Sequence, residues 1–291
     1  MILQSSELNI QLGGAQLGTS YGVADVSQLI DPAVIKNILS VAKRGGIKTI
    51  DTAPTYGDSQ HIIGELASEF SIYTKIPRVV FKQSEEGLPI TFASRCLSEA
   101  RSQLKYNVVV GCYIHYFEDF LKNPDIWDQL IDCKMSGEID KIGFSLYDPE
   151  QLDLIDGIEN IDILQIPCNY LDRRFLQPKF LHLIDKHNIE VTVRSLFLQG
   201  LLTTNFVFLN SKFQDLRTGV RYFQNLCALE KLDLCSGALS FLFNETPFRS
   251  AVIGVKSAEQ LEQIMNSEIV RSDQFGGGPV VDTNMIDPRN W

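Results

Sequence analysis

The sequence predicts an α/β chain closed into a (β/α)8 TIM barrel, and three observations predict it. Short β-branched runs alternate with longer amphipathic ones, the pattern of βα units feeding a parallel sheet. The unit recurs roughly eight times in about 250 residues, which is the size of a closed barrel. No Gly-x-Gly-x-x-Gly opens a helix, as the first turn of an open doubly wound sheet usually does.

The first strand is expected over Ile10–Leu17 and the first helix over Asp31–Arg44. Asp31-Pro32 supplies a polar cap and an early proline, and Gly45-Gly46 ends the helix with residues that tolerate a left-handed turn. Strands Lys48–Thr52 and Ile72–Lys75 flank a helix over Gln60–Glu69. The helix Ile90–Leu104 then leads into the apolar strand Val108–His115. The fourth helix, Pro124–Ser136, stops at Gly137, and strand Lys141–Ser145 follows. Asp148-Pro149 opens a helix to Ile155, and Ile163–Pro167, Pro178–His187 and Glu190–Ser195 continue the alternation. Arg217–Leu232, Ala251–Gly254 and Ala258–Met265 complete it, the last helix beginning at Ser257 with Glu259 in its first turn. No Pro/Gly/Ser tract divides the chain, so 1–291 reads as one barrel domain. The tail, 266–291, carries Gly276-Gly277-Gly278 and few periodic apolar positions; it reads as an extended segment, either disordered or folded over the barrel mouth.

Composition excludes several function classes. At 291 residues and 44% hydrophobic, the chain has enough apolar material for a sizeable core. A net charge of -10 with pI ≈ 4.9 argues against a nucleic-acid partner, whose phosphates call for a basic stripe. No apolar run reaches membrane-spanning length and no leader pattern precedes the first strand, so no membrane is expected and the location should be cytoplasmic. The six cysteines form no Cys-x-x-Cys pair and read as buried free thiols. Four histidines without a His-x-His or His-x-x-x-His pair leave no ligand set for a metal.

Chemistry concentrates at strand ends. Asp51-Thr52-Ala53-Pro54-Thr55-Tyr56-Gly57, Thr74-Lys75 and Ile114-His115-Tyr116 contribute a carboxylate, a phenol, an ammonium and an imidazole. In neighbouring parallel strands these four emerge at one rim, the end of a barrel where catalysis occurs. Singly, each has a structural reading: Asp51 as a helix cap, Tyr56 as packing, Lys75 as a solvated side chain, His115 as a satisfied core histidine. Their joint appearance favours a site.

In this order, Leu17-Gly18-Thr19, Asp51-Thr52-Ala53 with Tyr56-Gly57, Thr74-Lys75 and Ile114-His115 resemble the aldo-keto reductases. The likeness continues through Ile142-Gly143-Phe144-Ser145, Gln165–Asn169, Gln199-Gly200-Leu201-Leu202 and Val252–Leu261. It implies a barrel that binds NADPH/NADP+ in an extended pose and reduces a small-molecule aldehyde or ketone to an alcohol. Carried over from the family's matching positions, Tyr56 is the general acid, Lys75 the cation that eases loss of its proton, Asp51 the holder of Lys75, and His115 a donor to the substrate oxygen.

For the cofactor, the resemblance implies that Ser145 and Gln165 hold the nicotinamide carboxamide, with Arg194 where relatives stack an aromatic on the ring and Leu146 where many have Asn. Gln199, Gly200 and Leu201 after the seventh strand, and Gly254 through Gln260 after the eighth, fall where barrels build phosphate sites. Lys256 and Ser257 are the pair implied for the extra ribose phosphate, although relatives insert a proline before the glycine. Val255-Lys256-Ser257 and the ending Asp287-Pro288-Arg289-Asn290-Trp291 resemble a bacterial branch associated with sugar and polysaccharide metabolism, which implies a keto-sugar. Aromatic walls from Tyr21, Tyr116, Tyr147, Tyr170 and Phe197, with Asn169 and Arg194 as polar contacts, complete the expected mouth. Two other readings use the same residues: a Schiff-base aldolase built on Lys75, or a non-enzymatic NADP-binding subunit that senses redox state.

Overall fold

Eight parallel strands hydrogen-bond in sequence order and close on themselves, β2 through β9, in a computed structural model that describes residues 2–4, 8–20, 29–79, 89–105, 109–203, 216–279, 281–287 and 290. Ahead of the barrel lies β1 (Ile2–Gln4), which pairs antiparallel with β10 (Glu268–Val270) near the other end of the chain. The first barrel strand is β2 (Asn9–Gly13). It is shorter than expected, because the chain turns at Gly14 into the single helical turn α1 (Ala15–Gly18).

Next come α2 (Pro32–Arg44), β3 (Thr49–Asp51), α3 (Ser59–Leu66), β4 (Ser71–Ile76), α4 (Phe92–Leu104) and β5 (Val109–Ile114). Asp31 caps α2 by accepting from the Ala33 amide, and Gly46 and Gly137, both at positive φ, supply the left-handed stops expected after α2 and after α6 (Asp125–Met135). Between β5 and α6 lies a short α5 (Phe117–Lys122). Then follow β6 (Ile139–Ser145), α7 (Gln151–Ile155), β7 (Ile163–Pro167), α8 (Pro178–Lys186) and β8 (Glu190–Arg194). Asp148 does not cap α7: Gln151 Oε1 accepts from the Tyr147 and Asp148 amides instead, and the helix starts at Gln151.

After α9 (Arg217–Leu229) comes a helix that periodicity did not reveal, α10 (Leu234–Glu245), capped by Asp233 through the Cys235 and Ser236 amides. The barrel ends with β9 (Ser250–Ile253) and α11 (Ala258–Met265), whose N-cap Ser257 accepts from the Gln260 amide as expected. Beyond β10, the tail folds onto the protein and includes α12 (Thr283–Ile286).

The core lies between strands and helices: Leu12, Ile50, Ile72, Leu97, Ile142, Leu164 and Val193 are buried, each fully buried Leu, Ile or Val contributing about 1.5–3 kcal/mol. Thr74 on β4 receives a hydrogen bond from Gln60 of α3, so its side chain faces the helical layer. Strand alternation then turns its neighbours Tyr73 and Lys75 into the barrel. That is why a lysine with almost no solvent exposure stands inside this fold. Among the described residues, no helix is long and apolar enough to cross a membrane.

Candidate functional site

Asp51 ends β3, Lys75 stands one residue before the end of β4, and His115 directly follows β5. Tyr56 sits on the turn after β3. Glycines make that turn possible: a Cβ on Gly18 would meet the Tyr56 carbonyl at 2.2 Å, and Gly57, at φ +56°, would meet the Gly18 carbonyl at 2.3 Å if it carried one. The α1 turn therefore presses against the Tyr56 loop and sets where the phenol stands.

The four predicted side chains meet. Lys75 Nζ donates to Asp51 Oδ1 at 2.6 Å and to the Thr52 carbonyl at 3.1 Å. The same ammonium lies 5.1 Å from the centroid of the Tyr56 ring. His115 meets that ring edge-on, centroids 5.9 Å apart, and its Nδ1 is 3.4 Å from Thr55 Oγ1. Asp51 uses its second oxygen to accept from Gln165 Nε2 at 2.9 Å. The carboxylate is thus fixed from β4 and β7 at once.

Electrostatics follow from burial. Burial lowers the Lys75 ammonium below the ordinary lysine value, and Asp51 opposes that shift. Burial, then the cations Lys75, Arg194 and Arg78, push the His115 imidazolium well below the usual histidine range, so His115 is neutral near pH 7.

A cavity of ≈ 1210 Å³ opens at this rim and runs from Tyr56 and His115 past the ends of β7 and β8 to the start of α11. Of the sequence-predicted residues, Asp51, Tyr56, His115, Gln165, Arg194, Gln199, Gly200, Gly254, Lys256 and Gln260 line it. Lys75 does not line it and stands behind the wall, hydrogen-bonded to Asp51, which does. Ser145 is buried, and its Oγ has no hydrogen-bond partner. Leu201 does not line the cavity; it packs in the core, because the turn Leu198–Gly200 directs its side chain inward. Ser257 is occupied as the cap of α11, while the Lys256 amide donates to Gln260 Oε1.

At the mouth, Tyr116, Tyr147 and Phe197 line the cavity. Tyr170 does not: its hydroxyl donates to the Gly277 carbonyl and helps anchor the tail. Asn169 is spent on backbone groups of Ser195, Leu171 and Asp172. Tyr21 lies outside the described residues. Arg194 stacks on Tyr147 with its guanidinium 4.0 Å from the ring centroid and donates to the Leu146 carbonyl. The tail meets the loops after β7, where Arg173 donates to the Phe275 and Gly276 carbonyls and Arg174 pairs with Asp287.

Sequence reasoning missed the far wall. Gln224, Cys227, Asp233 and Cys235 come from the junction of α9 with the undetected α10. The signal was an aspartate just ahead of an apolar run, a start pattern for a buried helix. Among the described residues, no group of three metal-ligating side chains is placed to hold an ion.

A model of the aldo/keto reductase family matches residues 9–275. By structure, the chain is similar to the glycerol dehydrogenase AKR11B4 from Gluconobacter oxydans, with TM-score 0.72 and 20% identity over 92% of this chain and 89% of that one. It is also similar to the holo form of the aldo-keto reductase AKR11C1 from Bacillus halodurans, with TM-score 0.70 and 17% identity over 96% of this chain and 90% of that one. No curated protein matches it by sequence.

Proposed function

The chain belongs to the aldo/keto reductase family, and from that premise we propose that it reduces an aldehyde or ketone to an alcohol with NADPH, using Tyr56 as the acid. The observation that carries this reading is the position of Lys75 Nζ, buried against the Asp51 carboxylate and 5.1 Å from the Tyr56 ring at one end of a long cavity.

A phenol with a pKa near 10 is a reluctant proton donor at neutrality. An ammonium held beside it stabilises the phenolate left behind, and Asp51 keeps that ammonium in place. Tyr56 gives its proton to the carbonyl oxygen as the carbon accepts hydride. Neutral His115, edge-on to the phenol ring, offers a ring N–H to the same oxygen and sets its angle. Gln165 holds the free oxygen of Asp51, so the ion pair cannot rotate toward the cavity.

The chain's own residues fit a nicotinamide dinucleotide, which supplies the hydride. The unpartnered Ser145 Oγ and the Oε1 of Gln165 lie on adjacent strands, suited to a carboxamide. Gly254, Lys256 and Gln260 face the far end of the cavity, where the start of α11 favours an anion. Lys256 is the reason for taking NADPH over NADH, and a keto-sugar is the substrate class we test first.

The aldolase reading is disfavoured by the same geometry. Lys75 Nζ is committed to Asp51 and the Thr52 carbonyl, and the side chain does not reach the cavity wall. NADPH consumption against a panel of aldehydes, ketones and keto-sugars tests the assignment. We expect turnover with some of the panel and a loss of about 100-fold or more in Tyr56→Phe, with cofactor binding retained. Full turnover in that variant removes Tyr56 from the acid role.

A further inference from the structure

Arg194 is the last residue of β8 and pairs in register with Pro167 of β7. It lines the cavity together with Asp51, Gln165 and Tyr147. Two contacts fix its charge in place. The guanidinium lies over the Tyr147 ring at 4.0 Å and Nη2 donates to the Leu146 carbonyl at 3.1 Å, while Nε is buried without a hydrogen-bond partner. A planar cation stacked and tethered in this way cannot swing into solvent as a lysine would.

Its field reaches the reacting groups, since it disfavours charge on both Lys75 and His115. The nearby carboxylates pair first with other cations. Asp51 accepts from Lys75 at 2.6 Å, and Asp172 Oδ1 accepts from Arg174 Nε at 2.8 Å, while Asp172 Oδ2 is buried without a hydrogen-bond partner and feels the Arg194 charge only at a distance. Arg174 also faces Asp148 at 3.9 Å and Asp287 at 3.4 Å. Arg194 is therefore the fixed cation on the cavity wall nearest the Tyr56 and His115 end, with no carboxylate in ion-pair contact among the described residues.

We propose that Arg194 biases the bound nicotinamide cofactor toward its reduced form, resting on the reading that this cavity holds that cofactor beside Tyr56. The reduced ring is neutral. When it gives up hydride, two electrons and one hydrogen pass to the carbonyl carbon, the Tyr56 proton goes to the carbonyl oxygen, and the ring is left with one positive charge. A cation held on the adjacent wall destabilises that charged form through Coulomb repulsion and leaves the neutral form untouched. The phosphates and adenosine are identical in the two forms, so their contribution cancels in the ratio of affinities. The consequence is tight binding of the reduced dinucleotide and ready release of the oxidised one, which suits an enzyme working in the direction of reduction.

The test is equilibrium binding, independent of turnover. Kd values for NADPH and NADP+ are measured by titration calorimetry for the wild type, Arg194→Gln and Arg194→Lys. The wild type is expected to bind NADPH at least about tenfold more tightly than NADP+. Arg194→Gln is expected to bring the two affinities together, and Arg194→Lys to keep most of the difference. Because the ratio is taken within each protein, a partly unfolded fraction cancels. An unchanged ratio in Arg194→Gln, or equal affinities in the wild type, overturns the proposal while leaving the reductase reading standing. Failure of the wild type to bind either form overturns both.

Discussion

Lys75 Nζ stands 2.6 Å from Asp51 Oδ1 with its side chain fully shielded from solvent and Asp51 only 4% exposed. Burial drives the lysine toward its neutral form, and the carboxylate opposes that shift and keeps the ammonium in the barrel. Removal of the carboxylate charge in Asp51→Asn should let the ammonium lose its proton at lower pH. The alkaline limb of kcat, expected below the ordinary lysine value of about 10.4, should move further down in this variant. An alkaline limb that stays in place in Asp51→Asn would separate the pair from catalysis.

His115 gives a stability prediction with a definite sign. Its folded value is depressed, so the fold prefers the neutral ring, whereas the unfolded chain takes up a proton near pH 6.5. Above that pH the group is neutral in both states and costs nothing. As pH falls below about 6.5 the unfolded state binds a proton that the folded state refuses, and stability declines until the folded value is reached. Thermal melts of the wild type and His115→Gln between neutral and mildly acidic pH should show a shallower acid-side decline in the variant. Identical slopes would mean that His115 takes up its proton in the fold as readily as in the unfolded chain.

The barrel was legible because each parallel strand is a short apolar run with a helix start behind it, and strand ends in a closed barrel share one rim. That spacing alone predicts that Asp51, Lys75 and His115 share one end of the barrel. What stayed hidden had no periodic signal. The run Leu234–Phe243 in α10 is buried on most sides, so it lacks a polar face, and β1 and β10 are three residues each, too short for alternation to register. The far cavity wall, with Gln224, Cys227 and Asp233, was lost with α10. Side-chain competition was equally invisible: Gln151 displaces Asp148 as the group that meets the first amides before α7, and Gln165 spends its amide N–H on Asp51.

Cofactor choice should depend on Lys256. Its side chain belongs to the cavity wall at the start of α11, within the same segment as Gly254 and Gln260. A hydrogen bond between charged groups contributes about 1.5–3 kcal/mol. Lys256→Ala should therefore raise KM for NADPH by about tenfold or more while changing KM for NADH little. Preference of the wild type for NADH, or equal effects on the two cofactors, would move the ribose phosphate away from Lys256.

Arg174 ties the C-terminal segment to the mouth. Its side chain is 6% exposed, Nε donates to Asp172 at 2.8 Å, and Nη1 reaches both the Tyr147 carbonyl at 3.1 Å and Asp287 Oδ2 at 3.4 Å. Burial raises the Asp172 carboxyl and Arg174 opposes that rise, so loss of the guanidinium leaves buried carboxylates without their partner. Arg174→Met should cost about 3–5 kcal/mol in chemical denaturation, the expected penalty for breaking a buried pair from one side. Asp287→Asn keeps the side chain's shape and leaves Arg174 its closer pairing with Asp172, 2.8 Å against 3.4 Å, so it should cost less. Because Tyr147 is the ring on which Arg194 rests, Asp287→Asn should shift KM for the carbonyl substrate more than kcat, whereas a purely structural contact would lower apparent kcat with the folded fraction and leave KM unchanged. A variant with unaltered KM would confine the Arg174 cluster to holding the tail.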